Sequence, residues 1–234
     1  MTLFAKSVNC ISCNQCNVKA QVFKVLKEEE LAILNQNRYE VGFKTGENII
    51  KQGTALSHLI MLTKGIAKMY IEGLDNKNLI LELILPWKIY GEPGLYADNR
   101  YHYSITAIEP STACFIDIQN VKTLLRLNGD FAEAILANSS LNSVKTFERM
   151  VSLTQKQMHG RIADILIYMY TEIYQSDTFE LSLSRQDIGE FSGMTKDSAI
   201  RILKEFENEG IINVDGKKIN IRNKELLQEI SIRG

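Results

Sequence analysis

Leu181–Ile221 reads LSLSRQDIGEFSGMTKDSAIRILKEFENEGIINVDGKKINI, and its punctuation decides the architecture of the chain around it. A first short helix opens at Ser184 with a carboxylate three residues on, Asp187, the spacing of a capping box. Ile188 and Phe191 give it an inward face, and Gly193 ends it. Thr195 is placed to cap a second helix, and Gly210 stands where a left-handed residue closes one. Within that second helix Ala199, Ile202, Leu203 and Phe206 recur at helical spacing and form a core stripe. At about 100° per residue, Asp197, Arg201 and Lys204 project from the opposite side, with Lys196 beside them at the N-terminus. Ile211 to Val214 and Ile219 to Ile221 read as short strands about the turn dipeptide Asp215-Gly216. The spacing predicts two helices joined by a tight turn and followed by a wing.

Any small helical hairpin has a polar outer face, so solvation alone would explain that face. The turn spacing, both caps and the basic wing (Lys217, Lys218, Arg222, Lys224) favour a nucleic-acid surface instead. The run SRQDIGEFSGMTKDSAIRILKEFENEGII resembles the DNA-binding domain of the CRP/FNR family of bacterial transcription regulators. A helix in the major groove reads base edges with its first turns, and arginine paired to guanine is the commonest specific contact. Arg201 is the residue expected to make it. The resemblance places Lys196 and Asp197 where the family has further base readers, and Ser198 where base or phosphate is in reach. A carboxylate near phosphates is costly, so Asp197 must accept from a cytosine amino group or orient Arg201. Ser184, Arg185 and Gln186 resemble the family's phosphate-contacting positions at a helix start, and Lys217 at the wing tip is expected to meet another phosphate.

Upstream, from Tyr39 to Asp117, the pattern is one of short β runs: YEVGF, NIIKQG, HLIMLTKG, IAKMYIEG, LILELIL, ITAIE and TACFIDI, punctuated by glycine. Such spacing predicts an all-β sandwich or barrel. The intervals between Gly46, Gly53 and Gly65 resemble the β-roll of cyclic-nucleotide-binding domains, the family's sensor. In that family the ligand loop carries Gly-Glu and then an arginine that grips the cyclic phosphate. Gly91 and Glu92 are present, but the arginine step falls on Tyr103-Ser104, and Arg100 comes three or four residues early. Without a guanidinium the phosphate loses its main charge partner, so cyclic AMP is not expected, and Gly91, Glu92, Ser104 and Thr146 mark an empty or repurposed effector pocket.

Between sensor and reading head, a weakly amphipathic helix is expected from Val22 to Asn37 before the strands, a short one over Val121 to Leu127 after them, and a long one from about Phe131 to Met158. Leu141, Val144, Val151 and Met158 lie close to a heptad seam, with Phe147 nearby and Glu148 interrupting it. Packing on its own domain would also explain such a helix. Coupled to a reading head that suits a palindromic site, the seam predicts a homodimer. The GRIA run from Gly160 resembles the family's domain junction, so the resemblance spans about residues 20 to 230. It implies RNA polymerase as a further partner.

Cys10, Cys13 and Cys16 form two successive C-x-x-C spacings in CISCNQC, and the fourth cysteine, Cys114, sits in TACFIDI. In a reducing compartment such a set reads as metal or redox chemistry before disulfides. The FNR branch resembled here holds a [4Fe–4S] cluster with several N-terminal cysteines and one in the β-roll, which makes Cys10, Cys13, Cys16 and Cys114 the candidate ligands. The third N-terminal cysteine is spaced more tightly than in the better-known members. Zinc, thiol redox or no function stay open beside the cluster, and a lone cysteine on an apolar strand is also a small core residue.

Of 234 residues 45% are hydrophobic, and the net charge is −1. From Gly160 onward 10 Lys+Arg face 13 Asp+Glu, so the reading domain is not globally basic and must rely on a local patch. No apolar run approaches the ~20 residues of a membrane span, and the N-terminus lacks a signal-peptide core; a cytoplasmic protein without a membrane partner is expected. His58, His102 and His159 are scattered without metal-ligand spacing, and no phosphate-loop, nucleophile-elbow or dinucleotide motif is present, so no enzyme is indicated. The expected class is α+β: a Cys-rich segment at 1–19, a β-roll sensor at 20–129, a dimerisation helix at 130–159 and a winged helix-turn-helix at 160–234. The rival reading is a ligand-binding or redox module with weak DNA binding, or a regulator answering a small or cyclic-nucleotide-like ligand.

Overall fold

The structure is a computed structural model that describes Cys13 and residues 20–234. The Cys-rich segment therefore lies, Cys13 apart, outside the described residues. The chain divides into two compact units, one reaching to Ile71 and resuming over Ile84–Ser143, the other comprising Glu72–Leu83 and Val144–Gly234.

The first unit opens with α1 (Glu28–Asn35) and continues through β1 (Tyr39–Phe43), β2 (Asn48–Ile50), β3 (His58–Lys64) and β4 (Ala67–Ile71). The single helix expected over 22–37 is in fact a 3-10 turn at Gln21–Phe23 followed by α1. The break has a local cause: the Glu30 carboxylate accepts the Lys27 backbone N–H at 2.8 Å, which caps a new helix start and sets Glu28 to Glu30 at its positive end. After β5 (Leu79–Ile84), which groups with the second unit, come β6 (Ile89–Tyr90), β7 (Ser104–Ala107), β8 (Ser111–Asp117) and α2 (Ile118–Leu127). One antiparallel sheet runs β1-β8-β3-β6, and β7 lies between β2 and β4 in another. In the central strand of the first sheet Cys114 stands opposite Glu40 on one side and Met61 on the other. Leu59, Ile60, Leu62, Ile105 and Ile116 fill the space inside, with Leu34 of α1 and Val121 and Leu124 of α2 closing it. The glycine-punctuated β run thus builds the predicted roll.

The long helix α3 (Gly129–Gln155) is followed by α4 (Met158–Tyr168). Its expected end at Met158 is corrected to Gln155, and Gly160 lies inside α4, not at a break. The join is held in the second unit by Asp164, whose carboxylate accepts from Ser152 Oγ at 2.7 Å, Lys156 Nζ at 2.7 Å and Ser231 Oγ at 2.5 Å. In the second unit's part of α3, Val144, Phe147 and Val151 stay between 47% and 63% exposed and fall within about 60° of one another at the helical period. This is an uncovered apolar face.

The second unit continues with β9 (Thr178–Glu180), α5 (Arg185–Ser192), α6 (Lys196–Asn208), β10 (Ile212–Asp215), β11 (Lys218–Ile221) and α7 (Lys224–Arg233). The wing is a three-stranded sheet ordered β10-β11-β9. Its turn is centred one residue later than expected: Asp215 pairs with Lys218, leaving Gly216-Lys217 as the turn, with Gly216 at φ 60°.

Candidate nucleic-acid interface

The Ser184 hydroxyl accepts the Asp187 N–H at 3.1 Å and donates to the Asp187 carboxylate at 2.6 Å, while the Ser184 N–H reaches the same oxygen at 2.8 Å. The predicted capping box is therefore complete, and it commits the Ser184 proton internally. The turn between α5 and α6 is tight for two reasons. A Cβ at Gly189 would lie 3.0 Å from both Lys196 N and Met194 O, and Gly193 adopts φ +61° where a Cβ would meet Leu153 Cδ2 at 2.8 Å. Glycine permits both the close approach and the left-handed turn. Thr195 Oγ1 then accepts the Ser198 N–H at 3.2 Å and starts α6.

The stripe Ala199, Ile202, Leu203 and Phe206 is buried at 4% exposure or less. That burial fixes the rotation of α6, so Lys196, Asp197, Arg201 and Lys204 are exposed and Ser198 half-buried. Arg201 Nη1 donates to Glu205 Oε1 at 2.6 Å, and the other oxygen of Glu205 lies 2.7 Å from His159 Nε2. The hydrogen bond to His159, with that to Arg201, holds the Glu205 carboxyl below the usual carboxylate range. Glu205 and His159 were not among the expected site residues. They lie 46 positions apart, and neither carries a local sequence signal.

The residues predicted to touch backbone phosphates sit at the start of α5 and on the wing. Arg185 Nη2 donates to the Gly216 carbonyl at 3.1 Å, tying α5 to the wing turn, while the Gln186 amide donates to Glu190 at 3.2 Å. Lys217 is exposed at the turn, and Lys218 in β11 and Arg222 after it are exposed as well. Lys224, the last of the predicted basic cluster, instead pairs with Asp177 at 2.7 Å. The arrangement presents a helix start, an exposed helix face and a wing turn, each carrying hydrogen-bond donors of the kind that meet base edges and phosphates.

In the first unit the residues expected to mark an effector pocket hydrogen-bond within the protein. The buried Gly91 N–H donates to the Tyr103 hydroxyl at 2.7 Å, so Tyr103 supplies the acceptor that an anionic ligand would offer there. Glu92, 8% exposed, accepts from the Asn138 amide at 2.5 Å. The Ser104 hydroxyl accepts the Gln52 N–H at 2.9 Å, and Arg100 donates to the Gly53 carbonyl at 2.7 Å. Thr146 belongs to the second unit and is exposed on α3.

Of the four cysteines, Cys10 and Cys16 lie outside the described residues. The Cys13 N–H donates to Asn35 Oδ1 at 3.2 Å, and its side chain packs against the same core as Cys114. Cys114 is 2% exposed and receives a contact from Arg38 Nη1 at 3.2 Å. Burial, aided by the charges of Cys13 and Glu40 and opposed by Arg38, pushes its thiol up to about 11. Such a thiol is protonated at neutral pH and becomes a ligand only where a metal displaces its proton. The Arg38 guanidinium beside Cys114 would offset the charge of a thiolate there. Among the described residues no cluster of three or more His, Cys, Asp or Glu could hold a metal ion, and no helix is long and apolar enough to cross a membrane.

Comparison with known proteins agrees with this organisation. Residues 160–230 match the Crp-like helix-turn-helix domain, and residues 40–128 match the cyclic nucleotide-binding domain. The chain is 25% identical over 181 residues to the cAMP-activated global transcriptional regulator CRP of Pasteurella multocida, covering 76% of this chain and 87% of that protein. It is 22% identical over 227 residues to the transcriptional activator protein FnrL of Cereibacter sphaeroides, covering 93% and 90%. The solved structure of FixK2 from Bradyrhizobium japonicum superposes with a TM-score of 0.75 at 20% identity, covering 82% of this chain and 96% of that one, and so shares its fold. With a nucleotide-binding-type β-roll followed by a Crp-like reading head, the chain belongs to the CRP/FNR family of transcription regulators.

Proposed function

We propose that this regulator binds a palindromic duplex as a homodimer, with α6 in the major groove of each half-site and Arg201 on a guanine. The observation that carries the reading is the exposed cationic face of α6, fixed in rotation by its fully buried stripe. Lys196, Asp197 and Ser198 flank Arg201 as base or phosphate contacts. Arg185, Gln186 and Lys217 set affinity through phosphates, and Ser184 contributes its backbone position at the helix start. The uncovered apolar face of α3 supports pairing with a second copy, which would set two reading heads about one helical turn of DNA apart. RNA polymerase is the further partner that family membership suggests, and the whole machinery belongs to the cytoplasm. Selection from a randomised duplex library, followed by sedimentation of the complex, tests this. An inverted repeat bound by two chains is the expected result. Binding without sequence preference would instead favour a sensory module with an idle DNA head.

The signal is proposed to be oxygen, nitric oxide or redox state, read by a [4Fe–4S] cluster on Cys10, Cys13, Cys16 and Cys114. Support comes from the shared core position of Cys13 and Cys114 and from the Arg38 guanidinium, which offsets thiolate charge. When bound, the cluster would supply reactivity toward oxygen, and its loss would change the contacts that couple sensor to reading head. Cyclic AMP is the less favoured effector, because Tyr103 stands in place of the family's phosphate-gripping arginine and its hydroxyl takes the Gly91 N–H. Anaerobic purification with iron and sulfide analysis separates the two, alongside calorimetry with cyclic AMP. An iron-free protein that binds its operator equally with and without air would exclude the cluster.

A further inference from the structure

The contact chain on Arg201 crosses between two helices. Glu205 lies one turn after Arg201 on α6, and an isolated surface pair at that spacing would order little. Here the second carboxylate oxygen is engaged from another element: His159 Nε2, on the first turn of α4, lies 2.7 Å from it. The imidazole itself is seated, its ring centroid 6.0 Å from that of the buried Phe206 and tilted by 49°. Both oxygens of Glu205 are thus used, and the carboxylate is linked to the core through a ring that packs against Phe206.

Only one guanidinium nitrogen of Arg201 is recorded on Glu205, at 2.6 Å. Arginine has five N–H donors, and two suffice for the O6 and N7 atoms of guanine. Glu205 therefore takes nothing the base requires, while it restricts a long side chain that would otherwise lose its rotamer freedom only on binding. We propose that Glu205, braced by His159, is a positioning residue for base readout, holding Arg201 in its reading rotamer before DNA arrives. The proposal rests on the reading of Arg201 as the guanine contact.

The test uses the full chain and a duplex obtained by selection. Fluorescence anisotropy compares it with the same duplex carrying a substitution at the selected guanine in both half-sites, and with a scrambled duplex. Arg201→Ala is expected to abolish the guanine preference. Glu205→Ala should reduce it about tenfold while binding to scrambled duplex holds or rises, because a negative charge near the phosphates is gone. His159→Ala should reduce it about threefold, and His159→Gln should recover most of the loss, since the amide can donate to the same oxygen. Glu205→Gln, which keeps the shape and one acceptor, should fall between wild type and alanine. A preference unchanged or sharpened in Glu205→Ala would mean that the carboxylate competes with guanine, and would overturn the proposal. So would equal losses on selected and scrambled duplexes accompanied by a lowered melting temperature, which mark a merely structural role. Guanine preference surviving in Arg201→Ala would remove the assignment of Arg201 itself, a failure distinct from that of the brace.

Discussion

Replacing Asp164 by alanine should destabilise the second unit by about 3 kcal/mol, and the structure supplies the components of that figure. The carboxylate is 22% exposed and accepts from Ser152, Lys156 and Ser231. Hydrogen bonds to a charged group contribute ~1.5–3 kcal/mol each but are not additive. The Ser152 side chain, in a residue 8% exposed, would lose its acceptor, at a cost of ~1–3 kcal/mol for a buried hydroxyl. Lys156 is partly exposed and would turn to water, so its share is the smallest. For a unit of roughly 100 residues, ~3 kcal/mol corresponds to a fall in melting temperature of about 12–20 °C. Urea unfolding followed by far-ultraviolet circular dichroism measures it. The sole tryptophan, Trp87, lies in the first unit, so its fluorescence gives an internal control. Ser152→Ala removes one donor and should cost about 1 kcal/mol. An Asp164→Ala midpoint equivalent to less than ~0.5 kcal/mol of loss would refute the idea that this carboxylate secures the α3–α4 join.

Thr195→Ala deprives α6 of its cap and should cost about 1 kcal/mol, read by thermal melting. Lys217→Ala should weaken binding to every duplex alike and reduce the slope of log affinity against log salt by about 1 per half-site. Cys114 gives a pH dependence in the metal-free protein. Its thiol is raised in the folded state to about 11, so the unfolded chain releases the proton first. Stability is therefore full below the ordinary thiol range and falls between about pH 8.5 and 11, by an amount on the order of 2–3 kcal/mol. Cys114→Ala should flatten that stretch of the denaturation-midpoint profile.

The reading head was legible because its signals are local. Ser184 and Asp187, Thr195, Gly193 and Gly210 are capping residues whose partners lie within a few positions, and the stripe Ala199 to Phe206 carries its own period. The β runs were legible for a similar reason, since alternation and turn glycines sit next to each other in the chain. What stayed hidden depends on distant partners. The α3–α4 break carries no proline or glycine and is set by Asp164, which meets Ser231 across 67 positions. β9 is only three residues long and exists because Phe179 pairs with Ile219. The wing turn slipped by one residue because Asp215-Gly216 and Gly216-Lys217 are both acceptable turn pairs, and the strand register decides between them. At Tyr103 the sequence shows only a missing arginine, and the bond to Gly91 emerges from the fold. Arg38 beside Cys114, 76 positions apart, offered no sequence signal at all.

The bond from Arg185 to the Gly216 carbonyl joins the start of α5 to the turn of the wing. It makes a caliper whose jaws are bolted at one opening. If the α5 start and the wing grip phosphates as proposed, a duplex whose groove is wider or narrower than that opening would have to deform to fit, because this bond resists spreading of the two grips. In the proposed dimer, tolerance to irregular operators would then reside elsewhere, in the pairing of the two α3 helices. Sequences that bend easily should be favoured even at positions no side chain touches.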